Sequence, residues 1–213
     1  MERAGFVDRA EAGVLLAQAL EHYRGTDALI LAIPRGGVVV GHAMATALDL
    51  PLDIVLAKKI GHPANPELAI GAVSLDSQLV DPRYDVSRTY LDTEVKRIRS
   101  RSQEKALMYR GERPPPGVKD RPVIVVDDGV ATGNTLLATL ELLRRQHPSK
   151  LVVAMPVVPP RFIRKGRILA DELIHLLAPP HFQGVGQFYD NFQPVEDEEV
   201  VRLLNDAWKS AGR

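Results

Sequence analysis

VIVVDDGVATGNTL, residues 123–136, sets four β-branched residues in a row, then two adjacent acids, then a turn of small residues. The first four suit a buried strand. The acids are harder to place, because a carboxylate taken out of water costs solvation and Gly129 and Gly133 cost backbone entropy. A ligand at the end of the strand would offset both costs.

In an open parallel sheet, ligands bind beyond the carboxyl ends of the strands, which is where Asp127 and Asp128 fall. Ala131, Thr132, Gly133, Asn134 and Thr135 separate the acids from a helix carrying Leu136, Leu137, Leu140 and Leu143. Their backbone N–H groups, backed by the helix N-terminus, form an anion cradle matched to a phosphate. Thr132 and Thr135 add hydroxyl donors, and Gly133 lets the backbone come close. A phosphate cradle beside two carboxylates fits a sugar phosphate, since carboxylates accept hydrogen bonds from vicinal hydroxyls. The plainer alternative is a helix N-cap preceded by solvated acids. A Walker loop is excluded, because GxxxxGK[ST] is absent.

Outward from this motif, strands and helices alternate. The spacing of Ala12, Leu16, Ala19 and Tyr23 predicts an amphipathic helix over residues 6–23. Continuous apolar runs at 28–33 and 52–57 predict strands buried on both faces. Between them a helix is expected to start just after Gly36 and Gly37. Residues 61–66 read as loop, followed by short strands in AIGAVSL and QLVD. A helix over 87–110 has Leu91, Val95 and Ile98 on one stripe but is nearly all polar from Arg99 to Lys105, which suggests an exposed arm or lid. Beyond the motif come strands in KLVVAMPVV and ELIHLLA with a helix over 161–170 between them, and a last helix from Asp197. This order predicts an α/β fold with a mostly parallel sheet.

Lys plus Arg and Asp plus Glu are both 27, so no global charge advertises nucleic acid or an anionic membrane. The chain has no cysteine, which excludes disulfides, thiolate metal sites and cysteine nucleophiles. The opening segment has no long apolar run between its charges, and no stretch reaches the roughly 20 apolar residues that span a bilayer. The expectation is a cytoplasmic protein without signal peptide, membrane or nucleic-acid partner.

A second candidate site, IPRGG at 33–37, ends the first buried strand. Gly36 and Gly37 open the backbone to a ligand, and Arg35 offers a bidentate donor to phosphate oxygens. Lys58 and Lys59 end the next predicted strand.

The motif at 123–136 resembles the phosphoribosyl-pyrophosphate (PRPP) signature of type I phosphoribosyltransferases, and the strand–helix order agrees over roughly residues 25–180. The resemblance implies a twisted parallel sheet flanked by helices in a single domain over 1–213, with a small cap from about 1–24 and 181–213. It implies transfer of a 5-phosphoribosyl group from PRPP to a nitrogen nucleophile, a nucleobase, with release of pyrophosphate. Asp127 and Asp128 would hold the ribose hydroxyls and act with Arg35 in catalysis, while Ala131, Thr132, Gly133, Asn134 and Thr135 wrap the 5′-phosphate. Arg35, Gly36, Gly37, Lys58 and Lys59 would take pyrophosphate, with a non-proline cis peptide near Arg35. Mg²⁺ would be held mainly by PRPP, reached by Asp127 or Asp128 only through water.

The stretch from 61 to about 109 corresponds to the family's hood-like loop, with Arg99, Arg101, Lys105 and Arg110 available to an anion. Members acting on 6-oxopurines carry an acid where this chain has Ala131, which counts against hypoxanthine and guanine. Phe182, Phe188 and Tyr189 are candidates to stack on an acceptor; aromatics beside a C-terminal helix equally well anchor that helix. A homodimer, a non-catalytic PRPP-responsive regulator and another sugar-phosphate enzyme all stay open.

Overall fold

The structure is a computed structural model that describes residues 5–211. Residues 1–4 and 212–213, the outermost parts of the expected cap, lie outside the described residues. Five parallel strands form the main sheet: β1 (Leu29–Ala32), β2 (Leu52–Ile54), β6 (Pro122–Val126), β7 (Lys150–Val157) and β8 (Glu172–Leu177), in the order β2-β1-β6-β7-β8. Between β2 and β6 in the chain, β3 (Ala57–His62), β4 (Asn65–Ser74) and β5 (Gln78–Val80) make a separate antiparallel sheet.

Both faces of the main sheet are covered, which is why its strands read as unbroken apolar runs. Alternate residues Ile30, Ala32, Ile124, Val126, Val152 and Ala154 face α1 (Arg9–Ala19), α2 (Gly36–Leu48) and α6 (Asp197–Ala211). Their neighbours Leu29, Leu31, Val123, Val125, Leu151 and Val153 face α4 (Asn134–Arg144) and α5 (Pro160–Leu169). Leu136, Leu140 and Leu143 of α4 join that second cluster, while Ala138 and Leu142 meet Ala57 and Ala72 of the small sheet. The helix that follows the acid motif is thus apolar on two sides and carries the small sheet on its back.

Several elements depart from expectation. The strand expected over 52–57 is two strands in different sheets: parallel pairing stops at Ile54, and Ala57 pairs with Ser74. An unbroken apolar run cannot reveal a strand that changes sheets. Lys58 and Lys59 therefore lie inside β3 rather than at a strand terminus. The expected loop at 61–66 is mostly the β3–β4 hairpin. The first helix starts at Arg9, capped by Asp8, whose carboxylate accepts from the Glu11 N–H at 2.9 Å; Glu21–Tyr23 is a separate 3-10 turn. Gly36 and Gly37 are inside the first turn of α2, with Arg35 at its N-cap.

The polar helix is α3 (Arg88–Arg110), and it is docked rather than free. Val95 and Ile98 pack on Ile60, Ile70 and Val73 of the small sheet, and Tyr109 reaches the main core. Arg110 is buried: its Nε donates to Asp53 Oδ1 at 2.6 Å and its Nη2 to the Ile54 carbonyl at 2.5 Å. Burial pushes the Asp53 carboxyl up, opposed by Arg110.

Phe6 of the N-terminal segment clusters with Phe188 and Tyr189 of the C-terminal segment and with Val157 at the end of β7. Phe6 bridges Tyr189, α1 packs on α2, and Trp208 of α6 donates to the Leu52 carbonyl at 3.0 Å. Among the described residues, no helix is long and apolar enough to cross a membrane.

Candidate active site

The site lies where β6 runs out. Asp127 accepts the N–H of Asp128 on its Oδ1 at 2.9 Å. Burial and the neighbouring Asp128 push its carboxyl well above the usual carboxylate range, opposed by that N–H and by the charges of Lys58 and Arg9. Asp128 is also raised by burial, against the pull of Arg9, whose Nε donates to its Oδ2 at 2.8 Å. As two unpartnered acids, both would have burdened the empty site equally. The ion pair from α1 makes them unequal.

Gly133, with φ at +80°, turns the chain into α4 and serves as its N-cap. A β-carbon there would stand 2.5 Å from the Phe162 ring, so the turn needs glycine for its conformation and for space. Leu137 donates to the Gly133 carbonyl at 2.8 Å, and the helical ladder starts there. The donors of residues 134–136 precede it and have no intrahelical acceptor. Thr135 and Leu136, with the exposed Ala131 and Thr132, line a cavity of about 380 Å³ together with residues 127–130, Gly133, Val185 and Phe192, whereas Asn134 lies outside it and its Nδ2 donates to the Glu67 carbonyl at 3.3 Å.

A second cavity of about 430 Å³ shares Thr135 with the first. Its floor includes Ile33, Pro34, Val55 and Leu56, and its rim carries Lys58, Lys59, Arg97, Arg101 and Lys105. Lys59 is tied to Glu67 at 3.0 Å, Arg97 to Glu94, and Lys105 to Asp197 at 2.5 Å. Lys58 is exposed, and its charge acts on Asp127. Thus α3 brings the expected Arg101 and Lys105 to the wall of Lys58 and Lys59, together with Arg97 and Ser102, which the sequence had not singled out.

Pro34–Arg35 is a cis peptide, as the resemblance implied. Gly36 and Gly37 pass against the acids: their β-carbons would meet Asp128 Oδ2 at 1.9 Å and the Asp127 Cα at 2.8 Å. Arg35 itself is exposed and reaches the N-terminus of α6, with Nη1 3.5 Å from Glu196 and 4.0 Å from Asp197. Arg110, buried against Asp53, is withdrawn from the anion-facing charges.

Of the aromatic candidates, Phe188 and Tyr189 are buried, and Phe182 stacks on Phe188 with centroids 5.5 Å apart. The Tyr189 hydroxyl donates to the Asp128 carbonyl at 2.7 Å, and burial pushes its own ionisation up. None of the three lines the cavity; Val185 and Phe192 do.

Among the described residues, no group of three or more His, Asp or Glu side chains could hold a metal ion. Two neighbouring carboxylates raised by burial are nevertheless eased by a cation or by hydroxyl donors. Hydroxyl donors or a hydrated Mg²⁺ would fit that pair of acids.

Residues 9–171 match the phosphoribosyl transferase domain family. The chain belongs to that family. It is 38% identical over 207 residues to a Mycobacterium tuberculosis protein, found in strains CDC 1551 and H37Rv and named in both as an inferred phosphoribosyl transferase. The match takes in 95% of this chain and 47% of those proteins, so the chain spans about half the length of the curated relatives it matches. The crystal structure of TT1426 from Thermus thermophilus is similar throughout, with 39% identity, a TM-score of 0.88, and 95% of this chain and 98% of that one covered. In this phosphoribosyl transferase domain the glycine pair after β1 packs against the two acids after β6.

Proposed function

We propose that the protein transfers the 5-phosphoribosyl group of PRPP to a ring nitrogen of a nucleobase, releasing pyrophosphate. The observation that carries this reading is the pair of cavities that share Thr135 in their linings, one an amide cradle beside two acids and the other rimmed by cations. A substrate with one phosphate at one end and two at the other fills both.

In this reading the amides of Ala131, Thr132, Gly133, Asn134 and Thr135 bind the 5′-phosphate. Asp127 and Asp128 accept from the ribose hydroxyls, holding C1 at a fixed height above the strand ends. Gly36 and Gly37 admit the pyrophosphate, and Lys58, Lys59 and Arg35 stabilise charge as the C1–O bond breaks. Arg35 must leave Glu196 to do so. Bound Mg²⁺ would neutralise the leaving pyrophosphate, held by substrate oxygens with Asp127 or Asp128 reaching it through water. The wall of Val185 and Phe192, backed by Phe182, Phe188 and Tyr189, receives the acceptor. Ala131 offers no carboxylate for a ring-nitrogen proton, which disfavours hypoxanthine and guanine.

A panel of nucleobases and other amines, each with PRPP and Mg²⁺, tests this by pyrophosphate release. Release that depends on one nitrogenous acceptor is expected. PRPP binding without release for any acceptor would favour a PRPP-responsive regulator instead.

A further inference from the structure

Arg9 is the first residue of α1 and is only 9% exposed. Its guanidinium uses three separate features at once. Nε donates to Asp128 Oδ2 at 2.8 Å, Nη1 donates to the Gln193 carbonyl at 2.8 Å, and the planar face lies 3.8 Å from the centroid of the Phe192 ring. Asp128 and Phe192 belong to the acid motif and to the wall of the same cavity.

Asp128 is boxed from the other side as well. Its Oδ2 lies against the Gly36 backbone, where no β-carbon could stand, and its carbonyl takes the Tyr189 hydroxyl. Its carboxylate is therefore held in one orientation, with Oδ1 left for a ligand. Asp127, by contrast, has a backbone N–H on its Oδ1 and no cation in hydrogen-bond contact among the described residues. A buried ion pair adds little stability over a well-packed apolar pair, so stability alone does not account for it.

We propose that Arg9 is a positioning residue of the transfer site, locking Asp128 toward the ribose hydroxyls and pinning Phe192 on the acceptor wall. The proposal rests on reading the cavity as a ribose 5-phosphate pocket. Arginine is required over lysine, because only a planar fork bonds two oxygens and stacks on a ring together. A ligand that touches only the amide cradle is indifferent to Arg9, whereas a ligand with ribose hydroxyls is not.

Calorimetric titration with ribose 5-phosphate and with inorganic phosphate separates these cases. Arg9→Ala should weaken ribose 5-phosphate at least tenfold and leave inorganic phosphate within about twofold. Arg9→Lys, which keeps the charge and gives a second variant should the alanine form fail to fold, should show most of the same selective loss. Asp128→Asn should match Arg9→Ala, and the double variant should be no weaker than the weaker single one, because Arg9 acts through Asp128. Unchanged ribose 5-phosphate affinity in folded Arg9 variants would overturn the proposal, as would equal loss of both ligands. Wild-type protein that binds neither ribose 5-phosphate nor PRPP would overturn the functional reading itself, a result distinct from any difference between variants.

Discussion

The carboxylate of Asp128 lies so close to the backbone of Gly36 that a β-carbon on that glycine would stand 1.9 Å from its Oδ2 and 3.0 Å from Arg9 Nε. The loop after β1 and the acids after β6 are therefore interlocked, and neither can be altered alone. Gly36→Ala should push Asp128 off Arg9 and out of line with the ribose hydroxyls. The expected result is a loss of PRPP affinity of at least tenfold with a lowered melting temperature. Calorimetry beside a thermal melt checks it, and a variant binding PRPP as tightly as wild type would show that the loop has room to spare.

The two acids should respond in opposite ways to amide replacement. Asp127→Asn removes a carboxylate that burial and Asp128 destabilise while keeping an oxygen for the Asp128 N–H, so the empty protein should become more stable. Asp128→Asn strands the buried Arg9 charge, with a cost of up to about 3 kcal/mol, partly offset by relief of the acid–acid repulsion. For Asp127 the pH dependence has a definite sign. Its folded pKa is raised, so the unfolded chain ionises first as pH climbs past about 4, and wild-type stability falls until Asp127 itself ionises. The advantage of Asp127→Asn should thus vanish below about pH 4 and grow toward neutrality. Melting temperatures across pH 3–8 decide it; a constant gap would mean that Asp127 is not the group responsible.

What the sequence makes legible is what repeats locally. The runs at β1, β6 and β7 alternate between two covered faces, and the small-residue turn before the leucines of α4 marks an anion cradle without reference to the rest of the chain. Arg9 is 119 positions from Asp128 and Arg110 is 57 from Asp53, so no local period marks either pair. Arg110 ends a helix whose exposed face also carries arginines, and only the folded topology separates the buried one. The aromatic segment fails for a related reason. Residues 181–196 are largely irregular, so nothing in their spacing tells Phe192, which lines the cavity, from Phe188, which does not.

The buried pair of Arg110 and Asp53 fastens the end of α3 to β2, each side chain being 7% exposed. Arg110→Ala leaves Asp53 buried without its cation, and breaking such a pair costs about 3–5 kcal/mol. Stability should drop accordingly in urea, while PRPP affinity of the protein still folded should hold, because Arg110 lines neither site cavity. Selective loss of PRPP binding without loss of stability would return Arg110 to the anion-facing charges.

The last prediction concerns two neighbours that the sequence treats alike. In β3, successive side chains leave opposite faces of the strand, and the two lysines meet different partners. Lys59 is held by the carboxylate of Glu67 at 3.0 Å and by the Glu67 carbonyl at 3.3 Å. Lys58 has no such tether among the described residues, and its charge already reaches Asp127. A ligand pyrophosphate can recruit Lys58 without breaking an existing ion pair, whereas recruiting Lys59 means giving up Glu67. Lys58→Ala should therefore weaken PRPP by more than tenfold, and Lys59→Ala by only a few-fold. Ribose 5-phosphate, which lacks the pyrophosphate, should bind both variants nearly as it binds wild type. Parallel titrations with the two ligands test the assignment, and a larger loss for Lys59→Ala would place the pyrophosphate on the other face of β3.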